Sequence, residues 1–351
     1  MTLMNRPVSA RSRSGISLAL AVVCALAAVD CAGTAPAVPT LTVAMAPGRI
    51  DDFMRIVAPE FEQTHGVTLS PLGLRSADQV ARLRIERARP TIDVLWIDNA
   101  EAHLLGSEGL VARLSEDEVP NIARVRSEAL SSLGIAPIAF SSALGFLYNT
   151  ELAVPPPASW SDLWDPRFAG QLALFDFGST IGPLTLVMAA RLEGGDERHV
   201  ESGFAKLVAL KPNAAGYRTS GPENNNLVAQ SEAAVTFGLA NQTRDLAANG
   251  APVAWIVPAE GALALPQSFQ VVSGTARPDL ARRLVDHVLG LDVQTRFAHE
   301  LLLVVTNRDV TLDPAVAPLV PIDNILYFDL DVIGANRGAW TNRFNREILG
   351  G

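Results

Sequence analysis

Apolar positions along this chain fall in short bursts whose period changes every ten to twenty residues. "LTVAMAPG" (41–48) is a buried-strand pattern closed by a Pro-Gly turn. Next, Ile50, Phe53, Val57 and Phe61 recur at helical spacing, and Gly66 marks the stop. "VTLSPLGL" predicts a second strand, and "SADQVARLRIERAR" a helix opened by Ser76 as cap. "TIDVLWIDN" predicts a third strand whose C-terminal end hands Asp98 and Asn99 to a loop.

The second half repeats the alternation. "IAPIAFSSALGFLYN" (135–149) is a β-rich run long enough to leave one sheet and enter another. A proline-rich connector holds Trp160 and Trp164, whose spacing predicts a packed helical turn. "QLALF" reads as a strand, "GPLTLVMAARLEG" and "ESGFAKLVALKPN" as helices, and "GYRTSGPENNN" (216–226) as a polar loop. "AAVTFGLANQTRDLAANG" gives strand, turn and helix, and "PVAWIVPAEGALAL" gives strands returning toward the first half. Leu280, Leu284, Val288 and Leu291 are expected on one face of a late helix.

Strands separated by helices imply right-handed crossovers and mostly parallel sheets. In such sheets small molecules bind beyond the carboxyl ends of the strands. That rule selects the turns at Ala46-Pro47-Gly48, Arg75-Ser76 and Asp98-Asn99. With crossings expected near 136–148 and 256–266, the fold class is α/β in two lobes, with a ligand cleft between them.

The N-terminus follows another pattern. Arg6, Arg11 and Arg13 precede the fourteen-residue apolar run 16–29, the dimensions of a signal-peptide core rather than a membrane span. Cleavage after Ala35-Pro36-Ala37 would make Val38 the first residue. Cys31 offers a lipidation alternative, for which the preceding Asp30 is unfavourable. Both cysteines, Cys24 and Cys31, lie in this leader, so the mature chain is expected to hold no disulfide and no thiol chemistry. Losing three arginines and one aspartate takes the net charge from −9 to −11. So acidic an exported chain is a poor partner for nucleic acid or anionic lipid.

Motifs for enzyme chemistry are absent from the sequence. Asp176-Phe177-Gly178 spells a kinase metal-binding tripeptide, but no H-R-D and no glycine-rich loop accompany it. No G-x-S-x-G or H-E-x-x-H occurs either. The five histidines, at 65, 103, 199, 287 and 299, form no i, i+4 pair. Neither a metal nor another cofactor is expected. An exported hydrolase whose carboxylates converge only in three dimensions remains the rival class.

Four segments carry a resemblance: "LYNTELAVPPPASWSDLWDPRFAGQLALFD", "VPAEGALALP", "ARPDLARRLVDHVLGLDVQTRFA" and "WTNRFNREIL". Together they resemble the bacterial extracellular solute-binding proteins of ABC transporters. The branch is that of spermidine/putrescine-, iron(III)-, thiamine- and 2-aminoethylphosphonate-binding proteins. The resemblance implies a type II periplasmic-binding fold, with residues 1–37 as signal peptide. Residues 38–142 and 261–308 would form lobe I, and 143–260 and 309–351 lobe II. It implies a periplasmic, monomeric protein that delivers a small solute to a membrane permease and catalyses nothing. A sensory module that contacts a receptor instead is an alternative.

The strand-end rule, the helix start and the resemblance together place the site. Ala46, Pro47, Asp98 and Asn99 are expected from lobe I. Lobe II would offer Ser179 and Thr180 at a helix start, where unpaired N–H groups favour an anion, although ordinary capping explains them equally well. Tyr217 and Arg218 are expected on a cleft-facing loop, and Asn241 at a strand end. Glu260 would sit on a crossing, where it holds an amine or organises the hinge. Where polyamine-binding relatives carry acids and a tryptophan, this chain has Ser179, Thr180, Leu265 and Gln267. Desolvated ammonium groups would lack partners there, which argues for an anionic or zwitterionic solute over a polyamine. The adjacent tyrosines of the iron(III) binders are missing too, since only Tyr148, Tyr217 and Tyr327 occur.

Overall fold

The structure, a computed structural model, describes residues 38–350. The leader, with both cysteines and the expected cleavage site, lies outside the described residues.

The chain begins with β1 (Thr40–Met45), α1 (Ile50–Ile56), α2 (Ala58–His65), β2 (Thr68–Gly73), α3 (Ser76–Ile85), β3 (Val94–Asp98) and α4 (Asn99–Ser107). The single helix expected across 50–65 is two, because Pro59 has no N–H to continue the first and instead suits the start of the second. Gly66 then closes α2 in the left-handed conformation, at φ 61°. Asn99 belongs to the first turn of α4 rather than to a loop.

β4 (Ile138–Asn149) is buried along nearly its whole length. β5 (Leu172–Phe175), α5 (Ile181–Arg191), α6 (Glu201–Leu210), β6 (Ala214–Arg218), α7 (Gly221–Ala229), β7 (Val235–Leu239) and α8 (Ala240–Ala248) follow. The expected polar loop at 216–226 is therefore the end of a strand and a helix. Ser220 caps α7 by accepting the Glu223 N–H, and Pro222 occupies its first turn. β8 (Val253–Ile256), β9 (Ala262–Val271), α9 (Pro278–Leu289), α10 (Leu291–Leu301), β10 (Val304–Val305), β11 (Ile325–Leu326) and α11 (Leu330–Phe344) complete the order. Leu284 and Val288 are buried on α9, but the helix stops at Gly290. Leu291 opens α10 and is exposed.

The strands run in the order β2-β1-β3-β9-β4-β7-β5-β6, with β8 and β10 added to β4 and β11 to β9. Pairing is parallel in the flanks, β1 with β2 and β3, and β5 with β6 and β7. In the centre it is antiparallel, where β4 and β9 pair with each other, β3 with β9 and β7 with β4. Two large cores hang on this centre. Phe140 of β4 and Phe269 of β9 belong to one, with Phe53, Trp96 and Phe297. Phe146 and Leu263 of the same strands belong to the other, with Trp160, Phe237 and Phe204. Ile333, Trp340 and Phe344 of α11 join this second core, whereas Val310 and Val320 before it join the first. The result is a two-lobed α/β fold whose lobes share β4 and β9.

Candidate functional site

Strand register lays out the floor of a cleft between the lobes. Asp98, at the carboxyl end of β3, lies opposite Gln267 of β9. Two residues back along β9, Leu265 lies opposite Ser142 of β4. Leu144 of β4 lies in turn opposite Leu239 of β7. Asp98, Gln267, Leu265, Ser142 and Leu239 all line one cavity of about 410 Å³. Arg49 and the start of α4 (Asn99, Ala100 and Glu101) wall it on the first lobe's side. Thr180, Leu184 and α11, through Leu330, Ile333, Gly334 and Arg337, wall it on the other.

Asp98 is pinned by its neighbours. It accepts a hydrogen bond from the Ser76 hydroxyl at 2.9 Å and another from Gln267 Nε2 at 2.9 Å, while Gln267 Oε1 accepts from Trp96 Nε1 at 2.8 Å. Ser76 thus serves this contact rather than acting as the helix cap that the sequence suggested; Arg75 holds that position. Arg49 lies over the Trp96 ring, 5.7 Å from its centroid, and 3.7 Å from Asp52. Burial pulls its guanidinium below the ordinary value, with Asp52 and Asp98 opposing. The neighbouring Glu101 is pushed up, first by burial and then by Asp98, with Arg337 acting the other way.

Arg337 spends one nitrogen on the neighbouring loop of its own wall. Its Nη2 donates to the carbonyl oxygens of Phe177, Gly178 and Ser179 at 3.3, 3.2 and 3.0 Å. That loop is otherwise self-satisfied. Ser179 Oγ donates to the Asp176 carbonyl and accepts the Gly182 N–H, Gly178 N–H goes to Asp176 Oδ1, and Ser179 N–H to the Asp176 carbonyl. Capping and turn bonds therefore take most of the donors proposed for an anion, and Thr180 is the exposed member that reaches the cavity.

Of the expected site residues, the structure brings Asp98, Asn99 and Thr180 together in this cavity. Ala46 and Pro47 precede its wall, which takes Arg49 from the same turn. Ser179 is buried in the helix start. Tyr217 and Arg218 sit on the edge strand β6, outside the cavity wall. Tyr217 packs edge-on against Phe344, and burial pushes its phenol up to about 12. Asn241 Oδ1 accepts its neighbour's N–H in the first turn of α8, also off the wall. Glu260 is engaged structurally, accepting from the Ser159 hydroxyl at 2.6 Å and the Trp160 N–H at 3.0 Å.

Arg49 was within reach of the strand-end rule, two residues past Pro47. Arg337 carried no comparable signal, because only the folded chain carries α11 back to the cleft. Among the described residues no cluster of three metal-binding side chains occurs, and no helix is long and apolar enough to cross a membrane.

A cleft between two α/β lobes, walled from both sides and carrying paired cations and carboxylates, defines a two-lobed small-molecule binding protein. The profile of the bacterial extracellular solute-binding protein family matches residues 57–321, and the chain belongs to that family. A Salmonella typhimurium periplasmic protein designated as 2-aminoethylphosphonate-binding is 26% identical over 72% of this chain and 73% of its own length. The spermidine/putrescine-binding periplasmic protein of Escherichia coli K12 is 24% identical over 67% of this chain and 68% of its own. In three dimensions, an ABC transporter structure from Clostridium perfringens superposes with a TM-score of 0.76 at 21% identity, covering 88% of this chain and 99% of that one. The protein is a solute-binding component of extracytoplasmic transport and not an enzyme.

Proposed function

We propose that this protein, exported and cleaved after Ala37, captures a small organic anion or zwitterion in the cleft. It then closes over the solute as a monomer and delivers it to an ABC permease. Lobe I would comprise 38–142 and 261–308 and lobe II 143–260 with the C-terminal segment, α11 swinging with lobe II. The observation that carries the reading is the pair Arg49 and Arg337, which reach one cavity from opposite lobes. A negatively charged group between them would draw the lobes together, and guanidinium forks suit carboxylate or phosphonate oxygens. Asp98 and Glu101 in the same cavity supply partners for an ammonium group, which makes a zwitterion acceptable.

A polyamine is the second reading, favoured by those two carboxylates and by the similarity to the spermidine/putrescine binder. Two arginines facing the same space oppose it. A thermal-shift screen of the chain from Val38, refolded after denaturation to strip bound ligand, separates the two. Ligand at about 100 times its dissociation constant stabilises the fold by roughly 2.7 kcal/mol. A shift with 2-aminoethylphosphonate or organic acids supports the anion reading, and a shift with putrescine or spermidine alone rejects it.

A further inference from the structure

This inference rests on the cleft being the solute site and concerns the part of the solute that the cleft reads. Much of the polar lining is already committed within the protein. Asp98 is held by Ser76 and Gln267, Gln267 by Trp96, and one Arg337 nitrogen by three carbonyls. The apolar lining has no such partner on its cavity side. Leu239 of β7, Leu265 of β9 and Leu330 of α11 pack against the second core yet stay half-buried, and all three line the cavity. Leu184 and Ile333, both buried, continue that wall.

Hydrocarbon surface from three separate elements lines one cavity and is only half-buried there. It gains by burial only if the occupant is apolar there. A solute that is polar throughout would seal those leucines against charged or hydrated atoms and leave that gain unrealised. Small-molecule sites commonly divide in this way, with an apolar wall and a few polar groups that fix orientation.

We propose that the solute is an amphipathic organic anion. Its carboxylate or phosphonate head lies toward Arg49 and Arg337, and a hydrocarbon body of several carbons rests on Leu239, Leu265 and Leu330. Arg49 sets the charge requirement, and the leucines set the preference for chain length.

The test is calorimetric titration of the refolded chain from Val38 with acetate, butyrate, hexanoate and octanoate, alongside 2-aminoethylphosphonate and putrescine. Wild type is compared with Arg49→Gln and with the double variant Leu239→Ser/Leu265→Ser. Affinity is expected to rise about fourfold per added methylene until the cavity is filled. The heat-capacity change of binding should grow more negative along the series. Arg49→Gln should weaken every carboxylate by a similar factor, and the double variant should flatten the chain-length dependence. Should the double variant fail to fold, the wild-type series and its heat-capacity trend decide alone.

A flat series, or tighter binding of 2-aminoethylphosphonate than of any alkyl carboxylate with Arg49 still required, overturns the hydrocarbon body and leaves the cleft reading standing. No binding by any probe, or binding indifferent to Arg49→Gln and to the leucine variant, overturns both.

Discussion

Arg337 Nη2 lies 3.0 Å from the carbonyl oxygen of Ser179, although 158 residues separate them in the chain. The contact ties α11 to the loop before α5, and the same arginine lines the cleft cavity. Arg337→Ala is expected to raise the dissociation constant of an anionic solute by roughly 10- to 100-fold, the worth of charged hydrogen bonds. Arg337→Lys should restore little of it, because an ammonium cannot bridge three carbonyls and still present a fork. Titration of both variants with the best anionic hit checks this, and full rescue by lysine would contradict it.

Gly182 holds the same loop by what it lacks. A methyl group added there would fall well inside contact distance of the Asp176 carbonyl oxygen and carbon. Gly182→Ala is expected to displace the 176–180 turn, to cost about 1–3 kcal/mol and to move Thr180 from the cavity wall. Urea unfolding measures the first effect and solute affinity the second. A variant as stable as wild type would show that the turn tolerates the shift.

Glu260 separates structural from ligand chemistry. Both carboxylate oxygens are engaged, one by the Ser159 hydroxyl and one by the Trp160 N–H, beside a Trp160 ring that is 1% exposed and donates Nε1–H to the Gly261 carbonyl. Glu260→Ala should lower stability by about 1–3 kcal/mol and change solute affinity less than about twofold. A large loss of affinity with stability intact would return Glu260 to the ligand.

Acid should weaken the fold through His287. Burial depresses its imidazole below the ordinary value, against the opposing pull of Glu60, the Val57 carbonyl bond, Asp286 and Asp292. Since the unfolded chain binds the proton more readily, stability is full above about pH 6.5 and falls as pH drops through the lower folded value. His65 nearby is lowered by burial and by Arg283, so it adds in the same direction. Melting temperature from pH 8 to pH 5 should fall less in His287→Gln than in wild type. Parallel curves would rule this histidine out.

Periodicity made the two-lobed architecture legible, because the β-rich run at 135–149 is long enough to leave one sheet and enter another. Asp98 followed from the rule for strand ends, since β3 delivers it to the cleft floor. Less could be read where partners are distant. "GYRTSGPENNN" looks like a loop until β5 offers β6 a ladder and Ser220 caps α7. Ser179 and Glu260 are polar in sequence, and only the fold shows their hydrogen bonds already made. Leu239 reads as an ordinary core residue, and only the resemblance pointed Leu265 toward the site; nothing local says that either keeps one side open.

In chain order α11 follows every other wall of the cleft, yet it supplies Leu330, Ile333 and Arg337. During synthesis or translocation, both central strands and both flanking sheets are available before this last wall arrives. A nascent chain can therefore assemble most of its scaffold while its solute site is still open on one side. The wall that completes the cleft is thus the last of its elements to be made.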